Sequence, residues 1–75
     1  MIYVAYEYYH KNRDKWSAEK PFGIFESVES ACIVIDEKHT ADRIMKGNLY
    51  DYYAYEIKEN GQINRHSSTL LASKE

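Results

Sequence analysis

The chain has one cysteine, one proline and three glycines among its 75 residues. A lone cysteine cannot form an internal disulfide, and Cys32 is predicted to pack as a small hydrophobe on a helix stripe. The glycines are isolated from one another, so there is no glycine-rich loop to cradle a phosphate. These shortages exclude a disulfide scaffold and the common nucleotide-binding loops.

Long apolar runs and an excess of charge of either sign are also missing. No window approaches about 20 consecutive apolar residues, which predicts that no segment spans a membrane. The net charge is −2, and it provides no basic footprint for nucleic acid. Met1 is followed by Ile-Tyr-Val rather than by a basic region and an apolar run, so we expect a cytoplasmic protein.

Residues suited to catalysis or metal binding are few and scattered. The three histidines, His10, His39 and His66, are far apart, and none has the spacing of a metal ligand set. Cys32 has apolar or acidic neighbours rather than the electropositive setting that activates a thiolate. No nucleophile motif such as Gly-x-Ser-x-Gly occurs. We therefore expect no metal, no cofactor and no enzymatic activity.

What the chain does have is eight tyrosines, concentrated in two segments. Residues 2–9 and 49–58 are rich in aromatic and β-branched side chains that alternate between two faces, which predicts two β-strands. The side chains predicted to face the core are Ile2, Val4, Tyr53, Tyr55 and Ile57. The opposite face of the sheet is then exposed and carries Tyr3, Tyr9, Tyr50 and Tyr52.

The segment between the first strand and the helix contains a loop and a second strand. Residues 10–20 lack hydrophobic periodicity and predict a solvated connection that carries Trp16, the one tryptophan. Pro21 suits the entry to a strand because it fixes φ and has no N–H to donate. The short apolar run over residues 22–25 is predicted to pair with the first strand.

A helix is predicted to begin at about Val28, with Ser27 as its N-cap. Its apolar stripe comprises Val28, Ala31, Cys32, Ile35 and His39. Beyond His39 the stripe moves to another face, so the helix is expected to kink or restart near Thr40. Residues 46–48, Lys-Gly-Asn, are expected to close it.

Asn60-Gly61 is the strongest hairpin signal in the chain. Residues 62–66 are then predicted to form a short polar edge strand that protects the sheet from edge pairing. The tail over residues 67–75 is expected either to fray or to form a short helix. The fold class that follows is α+β, a single ββαββ domain over residues 1–66 with one helix on one face of a small antiparallel sheet.

Three stretches of the chain share a pattern of strand, glycine, aromatic residue and helix start. They are Tyr-Val-Ala-Tyr-Glu-Tyr at residues 3–8, the strand-to-helix junction at residues 22–31, and Tyr-Tyr-Ala-Tyr-Glu-Ile at residues 52–57. The pattern resembles that of small uncharacterised ββαββ proteins of bacteria and their phages and covers about residues 2–60. The resemblance implies the fold and a phage or accessory origin, and it transfers no functional residues.

The favoured function is a non-catalytic protein-binding module, because tyrosine is enriched at binding hot spots. The expected partner-binding residues are Tyr3, Tyr9, Trp16, Tyr50 and Tyr52. The resemblance narrows this to a phage-encoded inhibitor or modulator of a host protein such as a defence nuclease complex, comparable to an anti-CRISPR protein and acting in the host cytoplasm. The partner is expected to be a host protein or a second copy of the chain.

Three alternatives stay open. The tyrosine face is also suited to stacking a single-stranded nucleic acid or a nucleotide, although the net charge disfavours this. It would equally serve a structural homodimer with no further activity. The last alternative assigns binding to an acidic helix face that mimics a phosphate backbone, formed by Glu29, Asp36, Glu37 and Asp42.

Overall fold

The computed structural model describes residues 1–41 and 48–74 of the chain. One helix packs against a curled antiparallel sheet of five strands, in roughly ββαββ order. The strands are β1 (Ile2–His10), β2 (Lys15–Trp16), β3 (Lys20–Phe25), β4 (Leu49–Ile57) and β5 (Ile63–Lys74), and the helix is α1 (Val28–Ala41). The predicted α+β class and the order of its main elements are confirmed.

The strand β1 lies in the interior of the sheet. Its pairing with β4 extends from Ile2, opposite Glu56, to Tyr9, opposite Leu49. Along its other side β1 pairs first with β3 and then, at its last two residues, with β2. Because β5 pairs with β4, one edge of the sheet is formed by β5 and the other by β3 and β2 together.

The helix begins where the sequence predicts. Ser27 Oγ accepts a hydrogen bond from the Ser30 backbone N–H at 3.2 Å, and Ser30 Oγ accepts one from the Ser27 N–H at 3.3 Å. This reciprocal pair satisfies a backbone N–H group that a helix start leaves without an intrahelical partner. Glu29 in the first turn adds a charge that the helix dipole favours. The predicted N-cap and the start at Val28 are confirmed.

The predicted hairpin at Asn60-Gly61 joins β4 to β5. The Gly61 N–H donates to the Lys58 carbonyl at 2.8 Å, and the Lys58 N–H donates to the Gln62 carbonyl at 2.8 Å. Gly61 has a φ of 84°, a left-handed conformation that costs a residue with a Cβ about 1–2 kcal/mol. A left-handed glycine at the end of the turn is the geometry expected of a three-residue hairpin loop.

The chain after this hairpin differs from the prediction. The edge strand predicted over residues 62–66 is present but longer, and the frayed or helical tail predicted over residues 67–75 is wrong, because β5 continues to Lys74. Leu71 and Ala72 pack against the core, and this burial holds the segment in the sheet. The β4–β5 register shifts at two places, and such bulges break the alternation by which a sequence reveals a strand.

The connection predicted over residues 10–20 also contains a strand. β2 folds back on the end of β1, so that Tyr9 lies opposite Trp16 and His10 opposite Lys15. In the tight turn between them, the Asp14 N–H donates to the His10 carbonyl at 2.8 Å, and Asp14 has a φ of 53°. Aspartate is among the residues that tolerate this left-handed conformation.

The core lies between α1 and the sheet face that we call the helix face, which carries Ile2, Val4, Tyr6 and Tyr8 of β1. The buried centre of the core is formed by Val4, Ala31, Ile35 and Tyr52. The predicted helix stripe is confirmed at Ala31 and Ile35, whereas Val28 is 47% exposed. The partly buried side chains packed around this centre are Ile2, Tyr6, Phe22, Phe25, Tyr50, Leu71 and Ala72.

The predicted orientation of β4 is wrong. Residues that lie directly opposite one another in an antiparallel pair share a face, and Tyr6 lies opposite Tyr52. Tyr52 is 5% exposed, with its ring centroid 5.4 Å from that of Phe22 and 5.8 Å from that of Tyr6. Tyr50, opposite Tyr8, lies on the same face. The side chains predicted to face the core from β4, Tyr53, Tyr55 and Ile57, therefore point away from the helix.

The predicted end of the helix lies largely outside the described residues. α1 extends to Ala41, and the expected kink or restart beyond it and the closing residues 46 and 47 are not described. Asn48 is described and is 7% exposed. Its Oδ1 accepts a hydrogen bond from the Lys11 N–H at 3.4 Å, which connects the β1–β2 turn to the start of β4.

Candidate functional site

The sheet face that points away from α1 carries four rows of side chains, and we call it the outer face. Each row consists of residues that lie opposite one another on neighbouring strands, so their side chains are adjacent. The first row is Ile24, Tyr3 and Tyr55; the second is Pro21, Ala5, Tyr53 and Leu70; the third is Glu7, Asp51 and Ser73; the fourth is Trp16, Tyr9 and Leu49.

The first row is fixed by a network of polar contacts. The rings of Tyr3 and Tyr55 stack with their centroids 6.1 Å apart. The Arg65 guanidinium lies 5.9 Å from the Tyr3 centroid and 5.1 Å from the Tyr55 centroid. Glu19 accepts hydrogen bonds from Arg65 Nη1 and from the Tyr55 hydroxyl, each at 2.6 Å. One carboxylate thus joins the β2–β3 connection to both β4 and β5.

The protonation states of this network are also fixed. The hydrogen bond from Tyr55, aided by Arg65 and opposed by desolvation, lowers the pKa of Glu19 from its ordinary 4.5. The same hydrogen bond, followed by desolvation, raises the pKa of Tyr55 from its ordinary 10.0. Around neutral pH the carboxylate is therefore ionised and the phenol is neutral, which is the combination that the hydrogen bond requires.

The middle of the outer face combines a tyrosine with two carboxylates. Ala5 is fully buried here, so neighbouring side chains close over the sheet. The Tyr53 hydroxyl donates to Asp51 Oδ2 at 3.4 Å, and Ser73 Oγ donates to Asp51 Oδ1 at 2.7 Å. Desolvation and then the charges of Asp51 and Glu7 raise the pKa of Tyr53. Glu7 lies directly opposite Asp51, and the repulsion between the two carboxylates destabilises the fold.

Large apolar side chains are exposed at the border of the outer face. Trp16 is 43% exposed and packs edge to face against Tyr9, with centroids 5.5 Å apart. Ile24 on β3 is 61% exposed and Leu70 on β5 is 53% exposed. Together with the tyrosines between them, these side chains give the face an apolar rim on both sides of the sheet.

The predicted binding residues divide between the two faces. Tyr3 and Tyr9 lie on the outer face, as predicted, and Trp16 lies beside Tyr9 on the same face, on a strand rather than on the predicted loop. Tyr50 and Tyr52 lie on the helix face and are absent from that surface. Burial and the neighbouring Tyr8 and Tyr6 raise the pKa of Tyr50, which fits a ring packed among other phenols. The outer-face residues that the sequence interpretation missed are Tyr53, Tyr55, Ile24, Leu70, Glu19 and Arg65.

A usable signal existed for some of the missed residues and not for others. Tyr53 and Tyr55 follow from the same alternation that identified Tyr3 and Tyr9, once β4 is placed in the correct register. Glu19 and Arg65 are 46 residues apart in sequence and meet only through the fold. No local pattern predicts that contact.

The alternative acidic site is partly neutralised. Glu29, Asp36 and Glu37 are exposed on α1, but Asp36 Oδ1 forms an ion pair with Lys74 Nζ of β5 at 2.6 Å. Asp42, the fourth residue of the predicted set, lies outside the described residues. The described part of this helix face therefore presents less unpaired charge than the sequence predicts.

Other polar groups are dispersed. In the ranges 1–41 and 48–74, no three histidine, cysteine, aspartate or glutamate side chains are close enough to hold a metal ion. The rings of His10 and Tyr8 lie 4.6 Å apart and those of His39 and Tyr50 lie 5.7 Å apart, and Cys32 is partly buried.

Within residues 1–41 and 48–74, no helix combines the length and the apolar character needed to cross a membrane.

Comparison with known proteins identified no relative: no family model, curated protein or solved structure matches the chain. The resemblance to small ββαββ proteins of bacteria and phages stays a prediction.

Proposed function

We propose that this chain is a non-catalytic protein-binding module and that the outer face is its binding surface. The observation that supports this most directly is the exposure of Trp16, Ile24 and Leu70 around rows of tyrosines. Tyrosine and tryptophan provide large, rigid contact area with a polar tip, and they are enriched at the centres of interfaces. Trp16 and Ile24 lie on one edge of this face and Leu70 on the other, whereas Tyr55 between them is only 8% exposed. Exposed apolar side chains grouped on one face in this way are a common feature of interaction sites.

The outer face is also organised before any partner arrives. Glu19 holds Arg65 and Tyr55 in place, and the Arg65 guanidinium covers the adjacent Tyr3 ring. A partner that binds this row does not have to immobilise those side chains, each of which would otherwise cost about 0.5–1.5 kcal/mol of ordering free energy. Preorganisation of this kind favours a binding role over a purely solvated surface.

The charges of the face favour a basic partner. Glu7 and Asp51 lie opposite each other, and Arg65 is already paired with Glu19. A lysine or arginine from a partner would relieve the repulsion between the two carboxylates, whereas a phosphate backbone would add to it. We therefore favour a protein surface that presents basic side chains over a single-stranded nucleic acid or a nucleotide.

The narrower role implied by the resemblance fits within this proposal. A phage-encoded inhibitor of a host defence nuclease complex would meet basic grooves that normally bind nucleic acid. The opposed carboxylates Glu7 and Asp51, flanked by aromatic rings, are complementary in charge to such a groove.

The test is capture of partners from cells by the tagged chain and by two double variants. The outer-face variant carries Trp16→Ser and Ile24→Ser, and the helix variant carries Val28→Ser and Ile33→Ser. The four side chains are 43%, 61%, 47% and 59% exposed, so the two variants lose similar exposed apolar surface. We expect the outer-face variant to retain about a tenth or less of each specific partner, because such residues dominate binding energy, and the helix variant to retain it.

Circular dichroism of both variants establishes that each is folded before capture is compared. If partners are retained by the outer-face variant, or lost equally by both, the outer face is not the binding surface. Capture of the chain's own untagged copies alone would favour the structural homodimer.

A further inference from the structure

The two edges of the sheet differ in their protection against further pairing. Edge strands expose backbone N–H and C=O groups that template another strand, and natural sheets block them with charge, proline, β-bulges or short length. β3 is six residues long and begins with Lys20 and Pro21, both exposed. Pro21 has no N–H to offer, and the short strand β2 occupies the rest of the same edge. This edge is protected.

The edge formed by β5 is protected by a bulge before Thr69, but the segment after that bulge has less protection. The strand is twelve residues long, and residues 67–73, Ser-Ser-Thr-Leu-Leu-Ala-Ser, contain no charge and no proline. Among the described strands β5 pairs with β4 alone, so its other side has no strand partner there. Lys74 is the nearest charge beyond this segment, and it already pairs with Asp36.

The part of β5 available for pairing begins after its larger bulge. The register passes from Asn64 opposite Glu56 to Thr69 opposite Ala54. Within the bulge, Ser67 Oγ accepts a hydrogen bond from the Glu56 N–H at 2.7 Å and donates one to the Asn64 carbonyl at 2.8 Å. A side chain thus replaces part of the backbone hydrogen bonding between β4 and β5. From Thr69 onward the backbone again follows β4, apart from the shift near Leu71.

We propose that this segment of β5 pairs with the same segment of a second copy of the chain, antiparallel and about a two-fold axis near Leu70 and Leu71. A second copy suits this edge because one self-complementary strand serves both subunits. The uncharged segment places no like charges opposite each other, and a domain of this size gains burial that its own core cannot supply.

The geometry of the joined sheet accounts for Leu70. With the two-fold axis perpendicular to the sheet, the outer faces of both copies lie on the same side. Leu70, which is 53% exposed at the border of one outer face, then lies near its mate at the centre of a doubled face. The homodimer expected from the sequence thus forms through the edge of the sheet rather than through the tyrosines. This inference does not depend on the proposed function.

Sedimentation equilibrium over a range of concentrations tests the proposal on the full chain. The mass is expected to rise from 8.9 kDa toward twice that value as concentration increases. Leu70→Lys should raise the dissociation constant by about tenfold or more, because both copies lose an apolar side chain at the contact and two like charges then meet beside the axis. Ile24→Lys is the matched control, since Ile24 is similarly exposed on the outer face at the protected edge, and it should leave the constant unchanged.

Hydrogen exchange distinguishes edge pairing from contact between faces. Among residues 69–73, the amides that point away from β4 are expected to gain protection as the concentration rises. A mass that stays at 8.9 kDa overturns the proposal without reference to any variant. Equal dissociation by Leu70→Lys and Ile24→Lys, or protection elsewhere with none in β5, overturns it in favour of contact through the outer face. If the chain stays monomeric and the β5 amides gain protection from exchange only when a peptide is added, the edge pairs with a foreign strand and the proposal is overturned.

Discussion

Replacing Tyr52 and, separately, Tyr53 with alanine tests the register on which the outer face depends. The two tyrosines are neighbours on β4, so both variants lose a similar intrinsic strand preference, at most about 1 kcal/mol. Tyr52 is 5% exposed in the core with Val4, Ala31 and Ile35, and removing a buried aromatic ring costs about 3–5 kcal/mol. Tyr53 is partly exposed, and loss of its cross-strand contacts costs about 0.2–1 kcal/mol.

These magnitudes predict a large difference between the two variants. The total stability of 75 residues is about 4–11 kcal/mol, so Tyr52→Ala removes a large part or all of it. Tyr53→Ala is expected to cost about 1–2 kcal/mol with strand preference included.

Urea unfolding followed by far-ultraviolet circular dichroism measures both costs. With a slope near about 1 kcal/mol per molar urea for a domain of this size, the unfolding midpoints should differ by about 2 M or more. Equal midpoints, or a lower midpoint for Tyr53→Ala, would mean that β4 faces the other way, and the outer face described above would not exist.

Three further substitutions probe single features of the structure. The pKa of Glu19 is lowered in the folded state, so its carboxylate stabilises the fold above the unfolded pKa near 4.5, and this stability is lost as the pH falls through the folded pKa. In Glu19→Gln the melting temperature should therefore decline less steeply below about pH 4.5 than in the original chain. Glu7→Gln should stabilise the fold by about 0.2–1 kcal/mol at low salt and less at high salt, because it removes the repulsion from Asp51. Asp51→Asn should not stabilise as much in the same urea titration, because Asp51 accepts hydrogen bonds from both Tyr53 and Ser73. Gly61→Ala should destabilise the fold by about 1–2 kcal/mol. The cause is backbone strain alone, because an added Cβ meets nothing within 4 Å. Asparagine tolerates a left-handed φ, so an equal loss of stability in Gly61→Asn would contradict this explanation.

The elements whose signals are local could be predicted. Ser27 caps the helix together with Ser30, Asn60-Gly61 forms a local turn, and Pro21 is the second residue of the strand that it predicts. Ile2 and Val4 give β1 a clear aliphatic side, and this predicts the correct face for Tyr3 and Tyr9. Each of these predictions needs only the chemistry of adjacent residues.

The orientation of β4 and the extent of β5 depend on contacts across the fold. Tyr50 and Tyr52 point one way and Tyr53 and Tyr55 the other, so alternation along β4 gives no preference. Pairing with β1 decides which β4 side chains face the helix, and a register shift of one residue would move every one of them to the opposite face. β5 is held by the burial of its Leu71–Ala72 pair and interrupted by bulges, neither of which a periodic pattern reveals.

The correct register also changes what the tyrosines imply about function. A tyrosine suits the margin of a small core, because its ring can be buried while its hydroxyl remains wet, and the helix-face tyrosines need no further explanation. The outer face has no helix above it, so its aromatic rows carry the functional argument alone. If β5 pairs with a second copy, two such faces lie side by side, and a partner with two matching sites would bind with avidity. Leu70→Lys would then weaken capture of that partner, whereas a single-site partner would lose only the contacts of Leu70 itself.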